Sequence, residues 1–172
     1  MDKAAYVANL LVVANSRSGA QFEKLVQAMA RGSLAIRGTA WSYEELIAAA
    51  STLADVLPRG SQIGTVLDRL KTQLLTLQTP SRTQEEILRR MATAMGLSAE
   101  ELQRRLNPQL QGLSTIVETL TRAYKALGDD EKREAMFVEL FGRRVFSFSK
   151  ALVGLDKQGR ARVERFKELR QA

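Results

Sequence analysis

Hydrophobic residues return along most of this chain at the spacing of one face of a helix. In residues 20–31, for example, Phe22, Leu25, Val26 and Met29 follow one another at intervals of three, one and three positions, which is typical of an amphipathic helix. Helices are predicted over residues 3–15, 20–31, 42–57, 62–77, 83–96, 98–107, 113–127, 130–141, 144–155 and 159–170. The predicted fold class is therefore all-α, a multi-helix bundle in which residues 1–172 form a single helical domain.

Two stretches fit this helical pattern less well. The apolar run 10–14 suits a strand as well as a buried helix. Residues 32–41 contain two Gly and show no helical period, so we expect a loop or one short extended segment near 33–41.

The predicted helix starts carry a recognisable signal, the capping box of Ser or Thr followed three residues later by Glu. The three examples are Ser42 with Glu45, Thr83 with Glu86, and Ser98 with Glu101. Breaks between helices are predicted at residues 58–60, Pro80, Gly96 and 107–108, where Pro and Gly interrupt the helical pattern.

The chain has no Cys and no His, and this restricts its chemistry. Disulfides, thiolate chemistry, the usual zinc and haem sites, and Ser-His or Cys-His nucleophile pairs are excluded. A Ser–Lys dyad or a carboxylate site for magnesium stays open. Four acidic pairs (Glu44–Glu45, Glu85–Glu86, Glu100–Glu101 and Asp129–Asp130) each fall in the first turn of a predicted helix, where the helix dipole favours acids. We therefore expect no enzymatic activity, no cofactor and no metal site.

Hydropathy bears on location. No apolar run approaches the roughly 18–20 residues that span a bilayer, and the chain begins MDKAAY, which lacks the basic start of a signal peptide. A cytoplasmic location is the resulting expectation.

The net charge of +7 is concentrated near the end of the chain. Residues 1–57 carry five cations and five anions, residues 58–142 carry twelve and eleven, and residues 143–172 carry nine and three. Because 18 of the 26 cations are Arg, whose planar fork of donors fits phosphate, this basic C-terminal region indicates a nucleic-acid surface. The candidate binding residues are Arg143, Arg144, Phe146, Lys150, Lys157, Arg160, Arg162 and Arg165, together with Arg89, Arg90, Arg104 and Arg105.

Phe146 has a particular place in this hypothesis. On one continuous helical wheel for residues 137–155 it falls opposite the apolar face, between Arg143 and Lys150. An exposed aromatic between two cations suits a single strand, because a base can stack on the ring while phosphates are neutralised. The alternative is that Phe146 packs under a neighbouring helix or a partner subunit.

Residues 83–107 look like a helix-turn-helix, with Gly96 at the turn. Helices of this kind present their N-terminal residues to base edges, and here those residues are Ala99, Glu100 and Glu101, two of which the groove would repel. A DNA-binding regulator and a structural helical hairpin both stay open. A protein–protein adaptor with a basic surface is a further alternative.

The segment from Arg37 to Leu70 combines an aromatic-led helix, the break LPRGS and a Leu-rich helix. It resembles the C-terminal helical domain of the large subunit of some CRISPR effector complexes, and the whole chain is similar to their small, basic, all-helical subunits. The resemblance implies an antiviral-defence scaffold without catalytic residues, in which base pairing reads sequence and the protein contacts the backbone.

The functional hypothesis from the sequence is thus a non-enzymatic, nucleic-acid-binding subunit of a larger ribonucleoprotein assembly. It would contact phosphates of single-stranded DNA or of an RNA–DNA heteroduplex without base specificity. Its partners would be that nucleic acid and the other protein subunits.

Overall fold

The fold consists of helices joined by short turns. A computed structural model of the chain describes residues 3–18, 22–55, 57–128, 132–143 and 145–146. The helices in these ranges are α1 (Lys3–Ser18), α2 (Phe22–Ile36), α3 (Tyr43–Leu53), α4 (Gly60–Thr76), α5 (Arg82–Met95), α6 (Ala99–Arg105), α7 (Leu113–Ala126) and α8 (Arg133–Phe141). The described ranges contain no strand, so the all-α class is confirmed. Among these eight helices, none combines the length and the apolar composition that a bilayer crossing requires.

The expected extended segment near 33–41 is not present. Helix α2 continues to Ile36, and the chain then turns through Gly38, which has a φ of 70°. The Thr39 hydroxyl donates to the Ile36 carbonyl oxygen at 2.8 Å and closes the helix end. Gly32 lies inside α2 and is buried. The tertiary packing at this position offsets the low helix propensity of glycine, so the helix continues through it.

Of the three predicted capping boxes, one is complete, one has the hydrogen bond to its Ser side chain, and one is wrong. Ser42 and Glu45 form the complete capping box of α3. Ser98 accepts a hydrogen bond from the Glu101 amide at the start of α6. The box predicted at Thr83 is wrong, because α5 begins directly after Pro80 with Ser81 as its N-cap and Gln84 as its reciprocal partner. The Ser81 carbonyl already accepts the first helical bond, from the Glu85 amide at 2.8 Å.

Helices α2 and α4 pack with their backbones in contact. A Cβ atom at Gly60 would overlap the Lys24 carbonyl oxygen, and one at Gly64 would lie 2.6 Å from the Cβ of Arg31 and 2.8 Å from the Ala28 carbonyl oxygen. Real Cβ atoms do not approach so closely, so only glycine permits this spacing. The face of α2 that is buried here and against α3 carries Leu25, Ala28, Met29, Gly32 and Ala35.

The buried carboxylate of Glu45 joins α3 to α7. Its Oε1 accepts from the Ser42 amide at 3.2 Å, and its Oε2 accepts from the Ser114 amide at 2.6 Å. Gly112, the N-cap of α7, provides no side-chain cap of its own. Glu45 therefore satisfies amide donors at the starts of two helices whose positive dipole ends both favour the carboxylate.

The α2–α4 contact yields a first prediction. Gly64→Ala should lower the free energy of unfolding by about 1–3 kcal/mol, because the added methyl group forces two backbones apart. Urea unfolding followed by circular dichroism measures this change.

Gly32→Ala is the matched control, since Gly32 also lies inside a helix at the same contact. Its Cβ would meet Leu46 Cδ2 at an ordinary 3.5 Å. Stability should stay unchanged or rise by up to about 1 kcal/mol through helix propensity. Equal destabilisation by the two variants would contradict the close packing.

The Glu45 bridge yields a second prediction. Glu45→Ala should destabilise the fold by about 1–3 kcal/mol, because it leaves the buried Ser114 amide without an acceptor. Glu100→Ala removes an exposed first-turn acid of α6 and should change the free energy of unfolding by less than about 0.5 kcal/mol. The bridge would be disproved by equal effects in thermal melts of the two variants.

Candidate protein-docking surface

Four large hydrophobic side chains are exposed on α1 and α2. Val12 on α1 is 57% exposed, and on α2 Phe22 is 43%, Val26 is 41% and Leu34 is 51% exposed. Among the described residues only Leu110, in the turn after α6, shares this property elsewhere. Exposed apolar side chains gathered on adjacent elements mark interaction surfaces, whereas scattered ones do not.

These side chains belong to two rows, one on each helix. On α2 the row runs through Phe22, Val26, Ala30 and Leu34, and on α1 it runs through Ala4, Ala8 and Val12. Residues four apart form the ridges by which helices pack against one another. Together the two rows define what we name the α1–α2 face.

A shallow groove of about 660 Å³ lies between the two rows. Its lining is Ala4, Val7, Ala8, Leu11, Phe22, Val26 and Tyr43. Except for the Tyr43 hydroxyl, all these side chains are apolar. The groove therefore offers a partner hydrophobic contact and no charged group.

A hydrogen bond between Tyr6 and Glu44 ties α1 to α3 next to this groove. The bond from Tyr6 lowers the pKa of the Glu44 carboxyl, and the same bond raises the pKa of the Tyr6 hydroxyl. Because the carboxyl pKa is lowered in the folded state, the Tyr6–Glu44 hydrogen bond stabilises the fold at pH values above the usual glutamate pKa. This stabilisation is lost as the pH falls through the lowered pKa. The raised tyrosine pKa sets the upper limit, so the tie is intact at neutral pH.

Phe146, the aromatic at the centre of the sequence-based hypothesis, is buried rather than exposed. It is 5% exposed, and its ring centroid lies 5.8 Å from that of Phe137 in α8. The continuous helical wheel was wrong because α8 ends at Phe141, and its C-cap Gly142 has a φ of 77° that turns the chain and resets the helical phase. The Phe146 amide then donates to the Gly142 carbonyl at 2.9 Å, which begins a new turn with Phe146 facing the core.

The predicted cationic residues gather only in part within the described ranges: Arg89, Arg90 and Arg105 line adjoining depressions beside α5, whereas Arg104 and Arg143 do not. Arg89 and Arg90 are exposed on α5, Arg104 is exposed on α6, and Arg143 is exposed after α8. Arg105 is paired with Glu101 at 2.8 Å along α6. The other candidates, Arg144, Lys150, Lys157, Arg160, Arg162 and Arg165, lie outside the described residues.

The helix-turn-helix predicted over 83–107 is present as a helical hairpin. Helix α5 ends at Gly96, which has a left-handed φ of 71°, and α6 is only seven residues long. Met91, Leu102 and Leu106 are buried between these helices and the rest of the core. This is the packing expected of a structural hairpin.

The α1–α2 face was missed because the apolar pattern of α2 has two sides. The sequence pattern places Phe22, Leu25, Val26 and Met29 on the apolar face of an amphipathic helix, yet of these four only Leu25 and Met29 are buried. On a helical wheel, the apolar residues of α2 cover more than one side of the helix. This breadth was the available signal that some of them are exposed.

The molecule is thus an all-helical protein with an exposed apolar face suited to contacts with other proteins. The chain belongs to the phage-related minor tail protein family, whose sequence profile matches residues 1–142. That match extends over all eight described helices. No curated protein and no solved structure shows significant similarity to the chain.

Family membership corrects the functional hypothesis from the sequence. The assignment to a CRISPR subunit with a role in antiviral defence is wrong, since the segment from Arg37 to Leu70 lies inside the phage tail match. That segment comprises the turn after α2, helix α3 and the first part of α4, and its break at residues 58–60 is a common helix boundary rather than a family signature. The nucleic-acid scaffold is withdrawn with it, and neither the DNA-binding regulator nor the adaptor acting through a basic surface gains support.

The burial of Phe146 yields a third prediction. Phe146→Ala should lower the free energy of unfolding by about 3–5 kcal/mol, the usual effect of emptying a buried aromatic site. Arg143→Gln, three residues earlier and exposed, should change it by less than about 0.5 kcal/mol. Thermal melts of both variants measure this, and an unchanged melting temperature for Phe146→Ala would return that ring to the surface.

Proposed function

We propose that this chain is a structural, non-catalytic component of a phage tail that binds a helix of another tail subunit through the α1–α2 face. The observation that carries the proposal is the row of exposed apolar side chains on α2, in a chain that belongs to a tail protein family. A tail is an assembly of protein subunits, so the partner is another protein chain.

Concentration of exposed apolar area supports this choice of surface. Four of the five exposed large hydrophobics in the described ranges lie on α1 and α2. Each buried square ångström of apolar surface contributes about 25 cal/mol to association before the entropic cost of binding. Burial of this face is therefore favourable, and in an assembly a neighbouring subunit can bury it.

The shape of the face favours a helix as the occupant. Ridges formed by residues four apart fit the grooves of another helix when the axes approach to about 8–10 Å. Ala4, Ala8 and Ala30 are small, so they keep the rows low enough for such an approach. A partner helix with larger apolar side chains would fill the groove between the rows.

Structural uses of the acidic residues support a non-catalytic role. Glu45 binds backbone amides at two helix starts, Glu44 accepts from Tyr6, and Glu101 pairs with Arg105. These contacts give structural roles to three of the acids that the sequence left open for a magnesium site. The cytoplasmic location expected from the sequence stays a prediction within this proposal.

The fourth prediction tests the α1–α2 face during assembly. Val26→Glu would place a charge in an apolar interface, and we expect at least a tenfold fall in the amount of this chain in purified tails, equivalent to about 1.4 kcal/mol of binding. Quantitative mass spectrometry of tails purified from cells expressing each variant measures the amount. Because Val26 is exposed, the isolated variant should melt as the wild type does.

Leu110→Glu is the matched control, since Leu110 is 61% exposed and lies away from the face. It should enter tails at the wild-type level. The proposal fails if the wild-type chain is absent from purified tails, or if Val26→Glu enters them as well as Leu110→Glu does.

A further inference from the structure

A second groove follows α5 along most of its length. It has a volume of about 750 Å³ and extends from Thr83 to Ala94, with the end of α7 and Met136 of α8 forming the other wall. Eleven residues of helix rise about 17 Å at 1.5 Å per residue. The groove is therefore long enough for about three turns of a bound helix.

The floor and the rim of this groove differ in chemistry. The apolar part of the lining, which we name the floor, consists of Ile87, Ala94, Ala126, Leu127 and Met136. The polar part, which we name the rim, consists of the exposed residues Thr83, Glu86, Arg89, Arg90 and Thr93. Met136 is a flexible side chain that adapts to different apolar occupants.

The groove continues into a smaller cavity of about 310 Å³ that shares Ala94 and Ala126 with it. This cavity adds Arg105 and Arg122 to the lining. The combined lining has four Arg, Arg89, Arg90, Arg105 and Arg122, against the single acid Glu86. Arg105 is engaged by Glu101, and the exposed Arg89 and Arg122 are the two Arg on which the argument for positive potential depends.

We propose that this α5–α7 groove binds an acidic amphipathic helix of a partner protein. Apolar side chains of that helix would rest on the floor, and its Asp or Glu residues would meet the Arg rim. Charge complementarity of this kind selects partners and speeds association. The helix-in-groove mode also matches the length and the apolar floor.

A peptide suits this groove better than a nucleic acid does. None of its lining residues is aromatic, so it offers no ring for base stacking. Its apolar floor would stay uncovered beneath a phosphate backbone. The α5–α7 groove shares no residue with the α1–α2 face, so the chain would contact two partners of different chemistry.

The fifth prediction uses the full chain and a displayed library of random 14-residue peptides, sorted for binding at about 0.15 M salt. Enriched peptides should be acidic, with apolar residues at helical spacing. In fluorescence anisotropy, they should bind the Arg89→Glu, Arg122→Glu double variant at least tenfold more weakly than the wild type. Both substitutions are at exposed positions, so a matching melting temperature should show that the fold is kept.

The Arg59→Glu, Arg69→Glu double variant is the charge-matched control. It changes two exposed Arg at the start and middle of α4 that do not line the groove, and peptide binding should stay at the wild-type level. The proposal is overturned if no peptide is enriched, if the enriched peptides are neutral or basic, or if both double variants weaken binding equally. It is also overturned if a 14-nucleotide oligothymidine, and no acidic peptide, binds with dependence on Arg89 and Arg122.

Because this experiment contains no tails, its outcome is independent of the assembly experiment on Val26. Either surface can therefore fail without affecting the conclusion about the other.

Discussion

The backbone contact between α2 and α4 is the constraint on which the rest of the structure depends. Gly60 and Gly64 leave no side chain between the two helices, so the side of α2 that carries Ala28 and Gly32 must face α4. Once that side is fixed, Phe22 and the rest of its row have no position inside the fold. The exposure of the α2 row of the α1–α2 face therefore accompanies the burial of another side of α2 against the glycines of α4.

The second half of the chain is attached to the first by polar contacts as well as by the core. Glu45 of α3 binds the start of α7, and the Ala40 amide donates to the Pro108 carbonyl at 2.8 Å. Gln78 and Gln103 each donate to a backbone carbonyl on the other's segment, at 3.2 and 3.0 Å. These directional contacts fix how α5–α8 sit on α1–α4, and they leave the α5–α7 groove open.

The two surfaces make the family assignment physically reasonable. A subunit of an assembly has to be soluble before it assembles, and burying its interface has to be favourable afterwards. The α1–α2 face meets both requirements, because it places small residues between a few larger apolar ones, in a chain of a tail protein family. The α5–α7 groove adds charge, which gives specificity that an apolar face lacks. A chain with both can distinguish neighbours in an ordered structure.

The sequence by itself determined the local elements of this protein. The all-α class, the capping box at Ser42 and the helix stop at Gly96 depend on residues within four positions of one another, so no distant contact was needed to predict them. The same local patterns of helix caps, helix breaks and apolar spacing occur in many helical proteins. This is why the resemblance of residues 37–70 to a CRISPR subunit pointed to the wrong family.

Only the tertiary structure decided which side of each helix is covered. Phe22 and Leu25 are both apolar, yet only Leu25 is buried, because the helices that pack on α2 cover the side that carries Leu25 and leave Phe22 exposed. Phe146 turned inward because Gly142 reset the helical phase, and Glu45 found its second partner 69 residues away at Ser114. A helical pattern states that a side chain can be buried, whereas the approach of another backbone determines whether it is.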